Sequence, residues 1–180
     1  MVKINRNLLF YGLILLAILT RFVPHPPNFT ALGAIALFSG TYLPKRWSFL
    51  LIILAMLISD AFLGFYNIWI MFSVYGSFAI IAALGWYLKN KAKGVNVLGL
   101  SLFSSTIFYL VTNFAVWAAQ NMYPKNLAGF FQCYYLAIPF FRNMLFGDLF
   151  YVIILFGTYA LMVNTKRLRL SSRFSMEVKK

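Results

Sequence analysis

Two carboxylates stand inside stretches that are otherwise apolar, Asp60 within residues 48–65 and Asp148 within residues 141–163. The chain has only three acidic residues, so this placement is selective. In lipid, a carboxylate at mid-depth costs roughly 2.5–3.5 kcal/mol, and such a group normally faces protein or water. Arg21 and Arg142 lie at the edges of two apolar stretches. Brought to one depth, the four charges would form a balanced cluster. Such a cluster either locks helices together or contacts a polar solute. A second group follows at i, i+4 and i+7: Asn113, Trp117 and Gln120 share one helical face. An amide in hydrocarbon needs a hydrogen-bond partner, and tryptophan offers a flat apolar surface with one donor. The trio suits the wall of a pocket for a small cyclic solute, and it equally suits adhesion between helices.

Other chemistries find few residues. His25 is the single histidine, which excludes a multi-histidine metal site. Placed among Pro24, Pro26 and Pro27, it reads as a loop residue and not as a base. Cys133 is the single cysteine, so an internal disulfide is impossible, and no local partner marks it as a nucleophile. Walker and glycine-rich phosphate loops are absent, so the chain has no ATP site of that kind. A hydrolase built on Asp60 and Asp148 ranks third among the functional readings. No cofactor and no metal are expected.

The elements that must position these groups follow from composition. The chain of 180 residues is 62% hydrophobic, only 11% charged, and has a mean hydropathy of +0.81. A soluble domain has about 25% charged residues, so a water-soluble enzyme, a disordered chain and a disulfide-stapled module are all excluded. Six apolar runs are drawn at 8–23, 30–43, 48–65, 70–88, 97–119 and 141–163. The last four reach the roughly 17–25 residues needed to span a bilayer. The first two are short, and the prolines of 22–29 join them through a structured external loop. The fold class expected is an all-α membrane protein, a single domain over 1–180 with six transmembrane helices and a basic tail over 164–180.

The formal charge of +13 could signal nucleic acid, but its distribution signals topology. Basic residues cluster between runs at Lys3 and Arg6, at Lys45 and Arg46, at Lys89, Lys91 and Lys93, and from Lys166 onward. Of sixteen in all, only Arg21, Lys125 and Arg142 fall on the opposite side. By the positive-inside rule both termini are cytoplasmic, in the inner (cytoplasmic) membrane, and no nucleic-acid partner is expected. Lys3 and Arg6 precede an apolar stretch as in a signal peptide. Thr20-Arg21 offers no small-residue cleavage site, so the first helix is expected to stay as an anchor. The sequon Asn28-Phe29-Thr30 is read as a chance match. Residues 120–140, aromatic and interrupted by Pro124 and Pro139, are expected to lie at the membrane interface, either as an anchor or as a lid. Ala36-xxx-Gly40 and Ala79-xxx-Ala83 are small-residue pairs suited to close helix contact.

Several of these segments resemble a known family. Asn28-Phe-Thr-Ala-Leu-Gly33-Ala-Ile-Ala36-Leu-Phe-Ser-Gly40, the basic turn Lys45-Arg46 and the ending Ser59-Asp60-Ala-Phe-Leu-Gly64 are similar to the first half of the substrate-binding S components of energy-coupling factor (ECF) transporters. Thr112-Asn113-Phe-Ala-Val-Trp117, Tyr123-Pro124, Gly129 through Tyr134, Pro139-Phe140 and Gly147-Asp148 look like a bacterial family of six-helix membrane proteins related to those components. The resemblance implies a compact six-helix bundle that captures a vitamin, a precursor or a metal from outside. It also implies a membrane T subunit and two cytoplasmic ATPases as partners. Two features depart from it. The first run lacks the Ala-xxx-Ala pair that docks many S components to the T subunit. The start Met-Val-Lys lacks the N-terminal histidine motif of the metal-binding members, which argues against metal as the solute.

The leading reading is therefore an S component-like subunit for a small organic solute, with a structural or assembly protein as the alternative. The solute site is expected on the external side, roofed by 22–29 with His25 and Asn28 and by 120–140. Its polar groups would be Arg21, Asp60, Asn113, Gln120, Arg142 and Asp148, with Trp117 and Tyr123 as walls.

Overall fold

A computed structural model describes the backbone of residues 6–177 and the side chains of residues 7–165. Among the described residues all regular structure is helical: α1 (Arg6–Phe22), α2 (Leu32–Tyr42), α3 (Lys45–Leu63), α4 (Ile68–Leu88), α5 (Gly94–Ala119) and α6 (Leu127–Glu177). Four of them, α3 to α6, are long and apolar enough to cross a membrane. Their outward faces stay apolar, with Phe62 77% exposed and Leu161 70% exposed. In water such a surface would drive aggregation; in lipid it is matched to its solvent. This is a multi-pass membrane protein. The terminal basic residues Lys3, Lys179 and Lys180 lie outside the described residues.

The organising element is the shortest one. α2 has 11 residues and rises only about 16 Å, half the hydrocarbon thickness of about 30 Å. Its sequence is apolar or small all round, and Leu32 through Thr41 are all buried. A helix apolar on every face belongs inside a core. α2 accordingly packs against all five other helices, which run around it in the order α1, α3, α4, α5, α6. Ile35 and Leu37 of α2 meet Leu51, Ile52 and Met56 of α3, Ile81 of α4 and Val152 of α6 in a dry core.

The crossing of α2 and α4 depends on two glycines. A Cβ on Gly40 would lie 2.0 Å from the Ala82 carbonyl oxygen, and one on Gly85 would lie 2.3 Å from the Leu37 carbonyl oxygen. Backbones this close leave no room for a side chain, as in other small-residue membrane contacts. Thr41 Oγ1 ties the crossing by donating to the carbonyls of Leu37 and Gly85. The inward face of α4 is therefore carried by Phe78, Ala82 and Gly85, and the pair Ala79-xxx-Ala83 read from spacing sits to one side, half-buried.

α6 differs most from expectation. It does not begin near residue 141 but at Leu127, runs through Pro139 and continues to Glu177, 51 residues in all. Asn126 starts it by accepting the Gly129 N–H on its side chain, a side-chain cap that replaces a missing helical partner. Aromatic contacts then hold the extension on α5. Tyr109 and Tyr134 exchange hydroxyl-to-carbonyl bonds with the facing helix, and Tyr109 stacks on Phe141 at 4.5 Å. Pro139 removes one N–H from the ladder, a loss that packing against a neighbouring helix offsets within a membrane. The stretch 127–140 is thus helical and continuous with the rest of α6, not a separate segment ahead of it.

Candidate functional site

One end of the bundle gathers the C-terminal ends of α1 and α3, the start of α2 and the 23–31 loop. The N-terminal part of α4, the middle of α5 and the first half of α6 complete it. α3 delivers Asp60 to this end, fully buried. The last turn of α1 delivers Arg21, whose Nη2 lies 2.6 Å from Asp60 Oδ1. Tyr75 of α4 donates its hydroxyl to the other oxygen, Asp60 Oδ2, at 2.8 Å. Arg21 Nη1 donates to Ser59 Oγ and approaches Met56 Sδ at 3.6 Å. The pair is thereby fixed on both sides, which is what a buried ion pair requires to offset desolvation. Tyr66, in the turn between α3 and α4, lies beside it. Burial, with the Asp60 charge adding and Arg21 opposing, pushes its phenol up to about 12, so it stays a neutral hydrogen-bond donor.

Asp148 has a different role. α2 begins at Ala31 without a side-chain cap of its own, and Ala31 is fully buried. Its orphan N–H groups are met from neighbouring helices. Thr20 Oγ1 of α1 accepts from the Ala31 N–H at 3.3 Å, and the Asp148 carboxylate of α6 accepts from the Ala34 N–H. The carboxylate also takes the Ser105 hydroxyl of α5 at 2.6 Å. An anion at a helix N-terminus is favoured by the helix dipole. Gly33 makes the arrangement possible, since a Cβ there would sit 2.3 Å from Asp148 Oδ1.

Between these two centres lies a cavity of about 310 Å³. Arg21, His25, Asn28, Thr30, Tyr66 and Asp148 supply its polar wall; Met56, Val74, Phe78, Phe108 and Met144 supply most of its apolar wall. Asn28 adopts φ 65°, a left-handed turn conformation that asparagine tolerates, and this turns the 23–31 loop over the cavity. Asn143 holds the loop by donating to the Pro27 carbonyl at 3.2 Å. A neighbouring cavity of about 200 Å³ shares Asn28, Val74, Phe108 and Met144 and extends toward Thr112 and Asn113.

The residues proposed from sequence separate accordingly. Arg21, His25, Asn28 and Asp148 line the larger cavity, and Asp60 stands behind Arg21. Asn113 lines only the smaller one, and its amide donates back to the Tyr109 carbonyl of its own helix at 2.8 Å. Trp117 is half-buried and donates to the Pro124 carbonyl at 3.0 Å. Gln120 ends α5, and its carbonyl and that of Trp117 are capped by the Lys125 ammonium. Tyr123 lies half-buried in the turn that follows, outside both cavity linings. Trp117 and Gln120 are thus engaged in the α5–α6 turn, while Asn113 faces the smaller cavity. Arg142 is exposed on α6 and stands outside both cavities. The expected four-charge cluster is corrected to one ion pair, Arg21–Asp60, and one carboxylate held by neutral donors. Among the described residues that pair is the one salt bridge.

Sequence reasoning missed Tyr66, Tyr75, Thr20 and Ser105. For Ser105 a signal existed, because Ser101, Ser104 and Ser105 form a hydroxyl stripe in an otherwise apolar helix and all three are buried. Among the described residues no three His, Cys, Asp or Glu side chains lie close enough to hold a metal ion. No curated protein and no solved structure matches the chain. A family model does match, over residues 2–171, under the description "Family of unknown function (DUF6580)". With nearly its whole length covered, the chain belongs to the DUF6580 family.

Proposed function

We propose that this protein is a solute-capturing membrane subunit, comparable in role to the S component of an ECF transporter. It takes a small organic solute, such as a vitamin or a precursor, from the external side of the cytoplasmic membrane. A T subunit and two cytoplasmic ATPases would drive release. The observation that carries the reading is the cavity of about 310 Å³ at one end of an apolar bundle. Its size and its mixture of apolar walls with a few polar groups match small-molecule sites, which run from about 300 to 1,000 Å³. The chemistry is binding: the lining orients a solute, and the 23–31 loop covers it.

Native mass spectrometry of the detergent-purified chain, followed by thermal unfolding with the released compound, tests this. A co-purified organic solute should stabilise the bundle by about 2.7 kcal/mol at a hundredfold excess over its Kd. A chain that carries no solute and that no vitamin-sized compound stabilises would overturn the reading.

One observation favours the alternative of a structural or assembly protein. Both intramembrane carboxylates are already engaged by the chain's own groups, Asp60 by Arg21 and Tyr75, and Asp148 by Ser105 and Ala34. On that alternative the same purification would recover a partner membrane protein with the chain and no small molecule.

A further inference from the structure

We infer that the solute admitted by the larger cavity is an organic monocation, held through its charge by Asp148. This rests on the solute-capture reading above and specifies the chemistry of the same site. The argument is a charge balance over the groups facing the cavity. Arg21 contributes a positive charge to the wall, but Asp60 lies 2.6 Å behind it and cancels it. Asp60 spends its second oxygen on Tyr75, and the second guanidinium nitrogen is spent on Ser59. That pair is internally neutral.

Asp148 has no such partner. Its two hydrogen bonds come from neutral donors, the Ser105 hydroxyl at 2.6 Å and the Ala34 N–H. The start of α2 adds at most about half a positive charge. Arg142, six residues before Asp148 on α6, is exposed and outside the cavity. His25 stands at the rim, its Nδ1 bound to the Pro26 carbonyl at 2.8 Å. The side chain of Asp148 is 3% exposed yet forms part of the cavity wall. A carboxylate has about four lone-pair positions, so the two bonds leave it acceptor capacity to spare.

A carboxyl group buried with only neutral donors carries its charge at a cost, and a cation that reaches it offsets that cost. The apolar wall adds the rings of Phe78 and Phe108, which hold the body of a solute and attract a cation placed over their faces. An anionic solute would meet the carboxylate without compensation. A neutral solute would bury itself and leave Asp148 as it was. One positive charge on an apolar body is what the lining complements.

The test uses the full chain in lipid nanodiscs with three probes of similar size: benzyltrimethylammonium, benzyl alcohol and benzoate. Thermal unfolding and titration calorimetry are read at equal concentrations. The cation should bind and raise the melting temperature, and the alcohol should bind about tenfold more weakly or worse. Asp148→Asn keeps an oxygen for Ser105 and Ala34 but removes the charge, and it should erase the preference for the cation over the alcohol. Should that variant not fold, the ranking of the three probes on the unaltered chain decides. Equal or stronger binding of benzyl alcohol or benzoate would overturn the cation inference and leave solute capture standing. Binding of none of the three would overturn the inference and count against solute capture as well.

Discussion

At the scale of single residues, the polar groups in this bundle divide by what they are paired with. Arg21 and Asp60 form a buried pair whose value lies mainly in not being broken, since removing one partner leaves a charge stranded. Arg21→Gln should therefore cost about 3–5 kcal/mol in a denaturant titration of the detergent-solubilised chain. Adding Asp60→Asn to it should recover part of that loss. Simple additivity of the two substitutions would show that the pair is not coupled. Gly33 makes the second residue-scale prediction. A Cβ there meets the Asp148 carboxylate at 2.3 Å, so Gly33→Ala should displace Asp148 from the start of α2 and destabilise the bundle by about 1–3 kcal/mol. Gly12 has open space at its Cβ, and Gly12→Ala serves as the control, expected to leave the midpoint unchanged.

At the scale of elements, the bundle is arranged around a helix too short to span alone. α2 is buried along its length, and its crossing with α4 leaves no space at Gly40 or Gly85. Gly85→Val should force the two backbones apart and lower stability by more than Ala79→Val, which lies to one side of the contact. Comparing the two unfolding midpoints checks this, and equal losses would contradict the assigned face. α6 teaches a related lesson. Pro139 and the polar residues near 120–126 read locally as a break. The Asn126 cap and the tyrosine contacts to α5 carry the helix through the proline. Asn126→Ala should then fray the first turn of α6 at a cost of about 1 kcal/mol. Amide hydrogen exchange should show the loss of protection confined to residues after 126.

At the scale of the whole molecule, charge asymmetry and the cavity specify opposite ends. The cavity lies at the end holding the last turns of α1 and α3, while Lys45, Arg46, Lys89, Lys91 and Lys93 belong to turns at the other. By the positive-inside rule the basic turns should face the cytoplasm and the cavity the outside. Single cysteines at Ala92 and Lys125, in a background with Cys133 replaced, test this in intact cells. An impermeant reagent should label position 125 and spare 92. The reverse pattern would place the cavity on the cytoplasmic side and rule out capture from outside.

Apolar run length determined most of the helices directly from sequence, because backbone satisfaction in lipid leaves a helix as the one available form for a long apolar segment. α3, α4 and α5 follow the drawn runs to within a few residues. The approach of Arg21 to Asp60 was also legible, since an isolated charge at that depth is too costly to be left alone. The fate of Asp148 was not. Its partners are a backbone N–H of α2 and a serine of α5, and no spacing rule in one sequence connects residues 34, 105 and 148. Asn113, Trp117 and Gln120 share a face as read, but tertiary packing commits Trp117 and Gln120 to the α5–α6 turn and leaves Asn113 at the smaller cavity, away from the larger one. Periodicity reveals which side of a helix differs from the rest. Which neighbour that side meets is decided only when the helices pack, because the contact belongs to two elements and is written in neither alone.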